Sequence, residues 1–324
     1  MVNQRLLKTL AECEYPAEFL VARLLGKKGP LPRNWELLIA SSDTVQYLLN
    51  TPFYPYLKKY GPSGMWRFLS NEYLWVYSRM NPDLRKTFSP YFVFHEQNIL
   101  VVCLRYLESK EEIESVHQEL QHSMLHNDIQ KILTGGFDFI TILQALESHL
   151  AKTHDSFGGL KKQYEDKGIA GLEFFIRNCF FTQILSERPR DLLKSFFQYL
   201  IDFHNCMTLA KTLRWQIEAE PTLIPGGRIP DDSFRRAYFR KDMVPVLTFL
   251  HLDRIAETSA DIQKLETAFL FFITRKLKKW SYQRTPVGDI LFYLWEQYRY
   301  TRNISMVLST PLLDDGIVRK KIVA

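Results

Sequence analysis

The chain has 324 residues, 46% of them hydrophobic and 24% charged, with 14 Gly and 15 Pro, which excludes a disordered, collagenous or low-complexity protein and leaves a globular one with a large core. Its 42 basic and 36 acidic residues give a net charge of +6, a mild bias that favours anionic partners without demanding nucleic acid. With 23 Phe and 16 Tyr, much of the packing is expected to come from rings.

Taken in chain order, the opening Met1 to Lys8 is basic, but Lys8, Glu12 and Glu14 interrupt any apolar stretch long enough for a signal peptide, so no export is expected. Phe19-Leu-Val-Ala-Arg-Leu-Leu25 reads as a helical fragment. Asn34 to Asn50 reads as an amphipathic helix (Trp35, Leu38, Ile39, Val45, Leu49), as does Glu111 to Leu133 (Ile113, Val116, Leu120, Ile129, Leu133). The same periodicity recurs at Phe139 to Leu150 and at Ile262 to Trp280. Breakers punctuate the pattern at Gly29-Pro30-Leu31-Pro32, Gly61-Pro62, Asn81-Pro82, Gly135-Gly136, Gly158-Gly159, Pro225-Gly226-Gly227 and Thr285-Pro286. Sustained alternation of period two is absent, so the fold class is all-α. The longest apolar runs, Ile99 to Leu104 and Ala268 to Ile273, fall far short of the ~20 residues of a membrane span. Cys13, Cys103, Cys179 and Cys206 are scattered, which argues against a disulfide framework or zinc ribbon and for a reducing cytoplasm.

A faint repeat organises the chain. Helical segments around Glu96 to Asn98, Asp202 to Asn205 and Glu296 to Asn303 each place an acid shortly before an Asn, with a basic residue nearby. The three Asn residues are 107 and 98 residues apart, close to one third of the chain. Three similar helical lobes account for this spacing: 1–94, completed by the C-terminal helix; 95–200; and 201–324. The chain ends would then lie close together.

Catalytic signatures are sparse. No Walker loop, dinucleotide fingerprint, nucleophile elbow or zincin helix occurs in the sequence. His122 and His126, spaced i,i+4 in the expected Glu111 to Leu133 helix, would share one face and could begin a zinc site, but no third ligand accompanies them and a solvated face reads better. His95-Glu96 and Asp202-Phe203-His204 could act as acid/base pairs or could simply bridge helices. The basic runs Arg235-Arg236, Lys278-Lys279 and Arg319-Lys320-Lys321, near Tyr238, Trp280 and Tyr282, could grip phosphates, though scattered doublets more often form solvated faces.

Asp202-Phe-His-Asn205, then Leu213-Arg214, then Leu223-Ile-Pro-Gly-Gly-Arg-Ile229 resemble the central segment of the C subunit of V/A-type rotary ATPases, called the d subunit in eukaryotic V-ATPases. The end of the chain is similar too, with Glu296, Arg302-Asn303-Ile304 and Gly316-Ile-Val-Arg-Lys-Lys-Ile-Val323. So is the opening, with Phe19-Leu-Val-Ala-Arg23 and Thr51-Pro-Phe-Tyr54. Tyr298 and Tyr300 stand where the family usually carries acids, and Ser305 where a basic residue is usual, which marks a divergent member.

The resemblance implies a funnel of three all-helical lobes in a pseudo-threefold arrangement. It implies no enzyme activity and no cofactor or metal. The implied role is to couple the central-stalk subunits to the membrane proteolipid ring, transmitting torque for proton or sodium transport. The implied location is cytoplasmic, peripheral to an inner or plasma membrane, with membrane contact only through the complex and no nucleic-acid or small-molecule partner. Arg23, Asp202, Asn205, Arg214, Gly226, Gly227, Glu296, Arg302 and Asn303 carry the family pattern, and Arg235 and Arg236 are the expected ring-facing pair. The alternatives are a helical scaffold unrelated to such a machine and, more remotely, an enzyme using His95-Glu96 or His122/His126.

Overall fold

The computed structural model describes residues 6–10, 15–28, 31–32, 34–40, 44–252, 261–309, 319 and 322–323. Cys13, the Gly29-Pro30 turn, residues 316–318, Lys320 and Lys321 lie outside the described residues. The described chain is helical: α1 (Ala17–Lys27), α2 (Trp35–Ala40), α3 (Thr44–Leu48), α4 (Tyr54–Tyr60), α5 (Gly64–Arg79), α6 (Pro82–Glu108), α7 (Ile113–Leu120), α8 (Asn127–Thr134), α9 (Phe139–Leu150), α10 (Leu160–Ser186), α11 (Asp191–Arg214), α12 (Asp231–Arg240), α13 (Val244–Leu247), α14 (Ile262–Ser281) and α15 (Pro286–Leu308). Among the described residues, extended pairing is confined to two isolated bridges, Leu7 with Leu125 and Tyr15 with Met80.

Local chemistry explains where the long helices begin. Asn81 accepts the Leu84 amide and Pro82 follows at the first helical position, where its missing N–H costs nothing. Thr285 and Pro286 start α15 in the same way, with the threonine hydroxyl accepting the Gly288 amide. Asp138 caps α9 through the Thr141 amide, and Asp261 caps α14 through the amides of Gln263 and Lys264.

The chain forms two compact units. The first comprises residues 1–20 and 70–194, the second residues 21–69 and 195–324. In the first, α6 packs against α7 and α10, and α9 against α8 and α10. Its core is ring-rich: Tyr73, Phe88, Phe92, Phe157, Phe180 and Phe181 are almost wholly buried, and the Tyr73 and Tyr91 hydroxyls meet at 2.9 Å. Each such ring contributes about 1.5–3 kcal/mol of transfer free energy.

In the second unit, α14 packs on α15 and α12 on α13. One core cluster joins Leu31, Trp35, Leu38, Leu48, Phe53, Leu57, Met65 and Phe68 to Tyr300, Ile304 and Val307 of α15 and to Ile322. Early and late parts of the chain therefore share one apolar cluster. Tyr300 lies 5.3 Å from the Trp35 ring and Tyr298 lies 6.1 Å from Trp66, so both tyrosines are packing residues.

Asn34 to Asn50 contains α2 and α3, and residues 41–43 between them lie outside the described residues. One expected helix is broken. Glu111 to Leu133 is split by a turn at residues 121–126, so His122 and His126 do not share a helix face. Side chains claim that turn. Ser123 donates to Glu96, His126 accepts the Asp128 amide at the start of α8, and residues 124–126 exchange backbone hydrogen bonds with residues 6–8. Local polar capping outcompetes the helical ladder.

Candidate functional site: buried clamps on long helices

The residues that carry chemistry are buried polar groups in the middle of long helices, each gripping the backbone of a segment that returns to the helix. On α11, the Asn205 amide spans residue 224: Nδ2 donates to the Ile224 carbonyl at 2.8 Å and Oδ1 accepts the Ile224 N–H at 2.8 Å. One turn earlier, Asp202 Oδ1 accepts the N–H groups of Arg228 at 2.9 Å and Ile229 at 3.1 Å. The Pro225-Gly226-Gly227 turn lies between these two grips. Gly226 has φ +95°, a left-handed conformation that a β-branched residue resists. At Gly227 the reason is different, because a Cβ there would overlap Asp202 Oδ1. Burial pushes the Asp202 carboxyl up to about 6 against the opposing pull of the two N–H groups and of Arg228, and its Oδ2 is buried without a partner among the described residues.

On α15, Asn303 repeats the grip. Its Nδ2 donates to the Val323 carbonyl at 2.9 Å and its Oδ1 accepts the Val323 N–H at 3.3 Å. The second contact is here a cation: Arg299, one turn earlier, donates from Nη1 to the same carbonyl at 3.0 Å. Glu296 receives Lys28 at 2.6 Å and Arg299 at 3.4 Å, tying the helix to the end of α1. Arg302 pairs with Glu266 of α14 at 3.2 Å.

On α6 the grip is made by Glu96. It accepts the Ser123 hydroxyl, which in turn accepts the Leu125 amide at 3.1 Å. Burial pushes Glu96 up to about 7, against the hydrogen bonds from Ser123, Met124 and Leu125 and the charge of Lys8. Asn98, the expected counterpart of Asn205 and Asn303, is exposed and reaches only the Phe94 carbonyl of its own helix. On α6 the gripping residue is therefore the acid and not the asparagine.

The remaining pattern residues lie at the surface. Arg23 is exposed on α1 and Arg214 in the last turn of α11. Arg235 is exposed and pairs with Glu220 at 3.2 Å, while Arg236 reaches Ser233 Oγ at 3.2 Å. His95 packs on the Tyr73 ring at 4.6 Å, and burial pushes its pKa down to about 4, which suits a neutral core group rather than a base near neutrality. His126 faces Asp128 and stacks on His149 at 5.9 Å. No group of three His, Cys, Asp or Glu with metal-binding geometry occurs among the described residues, and none of their helices is long and apolar enough to cross a membrane. Cys103, Cys179 and Cys206 are buried free thiols.

Among the described residues, two open grooves lie at the surface. One, in the second unit, is lined by Trp66, Glu266, Arg302 and Met306 and holds about 410 Å³. The other, in the first unit, is lined by Gln144, Glu147, Lys161 and Asp166 and holds about 1000 Å³. Glu147 already accepts the Gly159 and Lys161 amides at the start of α10, so the anion-favouring end of that helix is occupied by the protein's own carboxylate.

Sequence reasoning missed Arg299 and did not single out Glu96 over Asn98 on α6. A signal for Arg299 was available, since a cation one turn before Asn303 on the same apolar face shares its buried side.

A comparison with curated proteins returns no match. Residues 65–310, most of the chain, match the family described as ATP synthase (C/AC39) subunit. This chain belongs to that family, whose members are C/AC39 subunits of V/A-type ATP synthases.

Proposed function

We propose that the chain is a non-catalytic coupling subunit, joining the central stalk of a V/A-type rotary ATPase to the proteolipid ring and transmitting torque between them for proton or sodium transport. Within the shared family, the observation that carries this reading is the recurrent clamp. A part under torsion has to resist sliding of one segment past another. A bidentate bond from a buried Asn to a segment 19 or 20 residues further on fixes register in a way that apolar contact alone does not. Breaking such a grip leaves buried backbone groups unpaired, at about 1–3 kcal/mol each.

The same reading assigns one clamp to each of three lobes. Glu96 serves the lobe 95–200 and Asp202 with Asn205 the lobe 201–324. Arg299 with Asn303 serve the lobe 1–94, which α15 closes. The cluster shared by Leu31 to Phe68 and α15 supports that closure. Arg235 and Arg236 are the proposed ring-facing pair, and the site of action is the cytoplasmic face of the membrane, peripheral to it.

The test is capture from detergent extracts of cells expressing the stalk and proteolipid subunits, using a tag on the stalk. The chain is expected to come down with both, with moderate salt loosening the complex without abolishing it. Arg235→Glu with Arg236→Glu is expected to lose the ring while keeping the stalk. A chain that stays unassociated with both at low salt overturns the proposal.

A further inference from the structure

The C-terminal half of α14 carries positive charge with no ion pair among the described residues. From residue 267 to 288 the sequence holds Arg275, Lys276, Lys278, Lys279 and Arg284 and no Asp or Glu. Arg228 joins them in space. The Lys276 ammonium is held below its ordinary range by burial and then by the charges of Lys279, Arg228 and Arg275. Among the described residues none of these cations is ion-paired, and Asp202, close to Arg228, spends its carboxylate on backbone N–H groups. The six cations equal the net charge of the whole chain, +6.

Helical spacing turns this charge into a stripe. Phe271, Arg275, Lys278 and Tyr282 follow one another at intervals of four, three and four residues, with Lys279 beside them, and all are exposed, Phe271 by 43% and Tyr282 by 71%. Beneath the stripe the rings are already engaged. Trp280 stacks on Tyr199 at 6.3 Å, Lys276 lies 5.2 Å over Phe272, and Arg228 lies 4.8 Å over Tyr199 while donating to its hydroxyl at 2.7 Å. These contacts hold the charged ends of Lys276 and Arg228 against rings, while Arg275, Lys278 and Lys279 stay exposed beside them. Neither groove includes any residue of the stripe.

We propose that this stripe is a docking surface for an anionic lipid bilayer, its Arg and Lys side chains meeting headgroup phosphates and Phe271 and Tyr282 entering the interfacial layer. Charge complementarity selects an anion, and the alternation of cations with exposed rings suits a membrane interface. Stacked bases would want ring faces close together, whereas Phe271 and Tyr282 are about 16 Å apart along the helix and the rings between them are taken. The inference stands independently of the coupling role, since it needs no other subunit.

The experiment is co-sedimentation of the full chain with protein-free vesicles of phosphatidylcholine, with and without phosphatidylglycerol, at low salt. Binding is expected only to the anionic vesicles. Arg275→Gln/Lys278→Gln/Lys279→Gln, all exposed positions, should fold normally by circular dichroism and lower partitioning about a hundredfold, at roughly fivefold for each cation removed. Tyr282→Ser should lower it several-fold. Lys110→Gln/Lys162→Gln/Lys167→Gln removes the same charge elsewhere and should leave most of the binding intact. No binding of the parent chain to anionic vesicles overturns the proposal, as does equal loss in the two triple variants. Stripe-dependent binding to polyglutamate or single-stranded DNA without vesicle binding also overturns it.

Discussion

The clamps on α11 and α15 use the same asparagine grip and opposite second contacts. Asn205 and Asn303 each hold one N–H and one carbonyl of a single returning residue. On α11 the second residue is an acid that accepts two further N–H groups, and it needs a glycine at 227 to come close enough. On α15 it is Arg299, which doubles the bond to the carbonyl already held by Asn303. One task, fixing a returning segment to a helix, is therefore met once with a titratable group and a steric requirement, and once with a permanent charge and neither constraint.

The steepest test of this contrast is steric. Gly227→Val drives a branched side chain into the Asp202 carboxylate and is expected to cost about 3 kcal/mol or more, through lost hydrogen bonds and overpacking. Gly226→Val, at φ +95° but exposed, should cost only about 1–2 kcal/mol of backbone strain. Urea midpoints of the two variants measure the difference, and a reversed order would show that Asp202 and Gly227 are not in close approach.

Redundancy is the next contrast. Asn205→Leu strands the N–H and carbonyl of Ile224, whereas after Asn303→Leu the Val323 carbonyl keeps Arg299. The expected losses are about 2–3 kcal/mol and about 1–2 kcal/mol respectively, and Arg299→Met in the Asn303→Leu background should cost more than in the parent chain. Additive effects would mean that Arg299 and Asn303 do not share the load.

The acid supplies a third contrast, in pH. Asp202 is raised from 3.8 to about 6 by burial, so the folded protein binds a proton more tightly than the unfolded chain does. Stability from this group is fully present below pH ~4 and is lost as pH rises through about 6, with an amplitude on the order of 3 kcal/mol. Asp202→Asn should keep the Oδ1 acceptor and flatten that slope, whereas Arg299→Lys should leave it unchanged. Glu96, raised to about 7, adds a loss of the same sign that ends one unit higher, so Glu96→Gln should flatten the slope between the two values. A stability curve that rises with pH from 4 to 7 in the parent chain and not in these variants would refute the burial of both acids.

Smallest of all is the exposed pair Arg235 and Glu220. Its removal should change the urea midpoint by no more than about 0.5 kcal/mol, because solvent screens both groups.

Much of the fold was legible because its signals are local. Asn81-Pro82 and Thr285-Pro286 announce their helices by cap chemistry, and Phe139 to Leu150 and Ile262 to Trp280 show their buried stripes as periodicity. The errors arose where a distant partner decides. The turn through His122 and His126 depends on Ser123 meeting Glu96, 27 residues away, and on Leu125 pairing with Leu7. Asn98 follows the sequence motif of an acid before an Asn, yet faces solvent because the returning segment on α6 is gripped at Glu96. Asp202, Asn205 and Asn303 stand out in the repeat and in the family resemblance, but their role as backbone clamps needs positions 224, 228 and 323 in space.

Transmission of rotation by this chain is tested most directly by the number of ions transported per ATP hydrolysed in complexes reconstituted into vesicles with and without it. Omission is expected to leave hydrolysis by the catalytic sector measurable while transport per ATP falls close to zero, and adding the parent chain back should restore it where Asn205→Leu does so only in part. Full transport per ATP in the absence of the chain would contradict the coupling role.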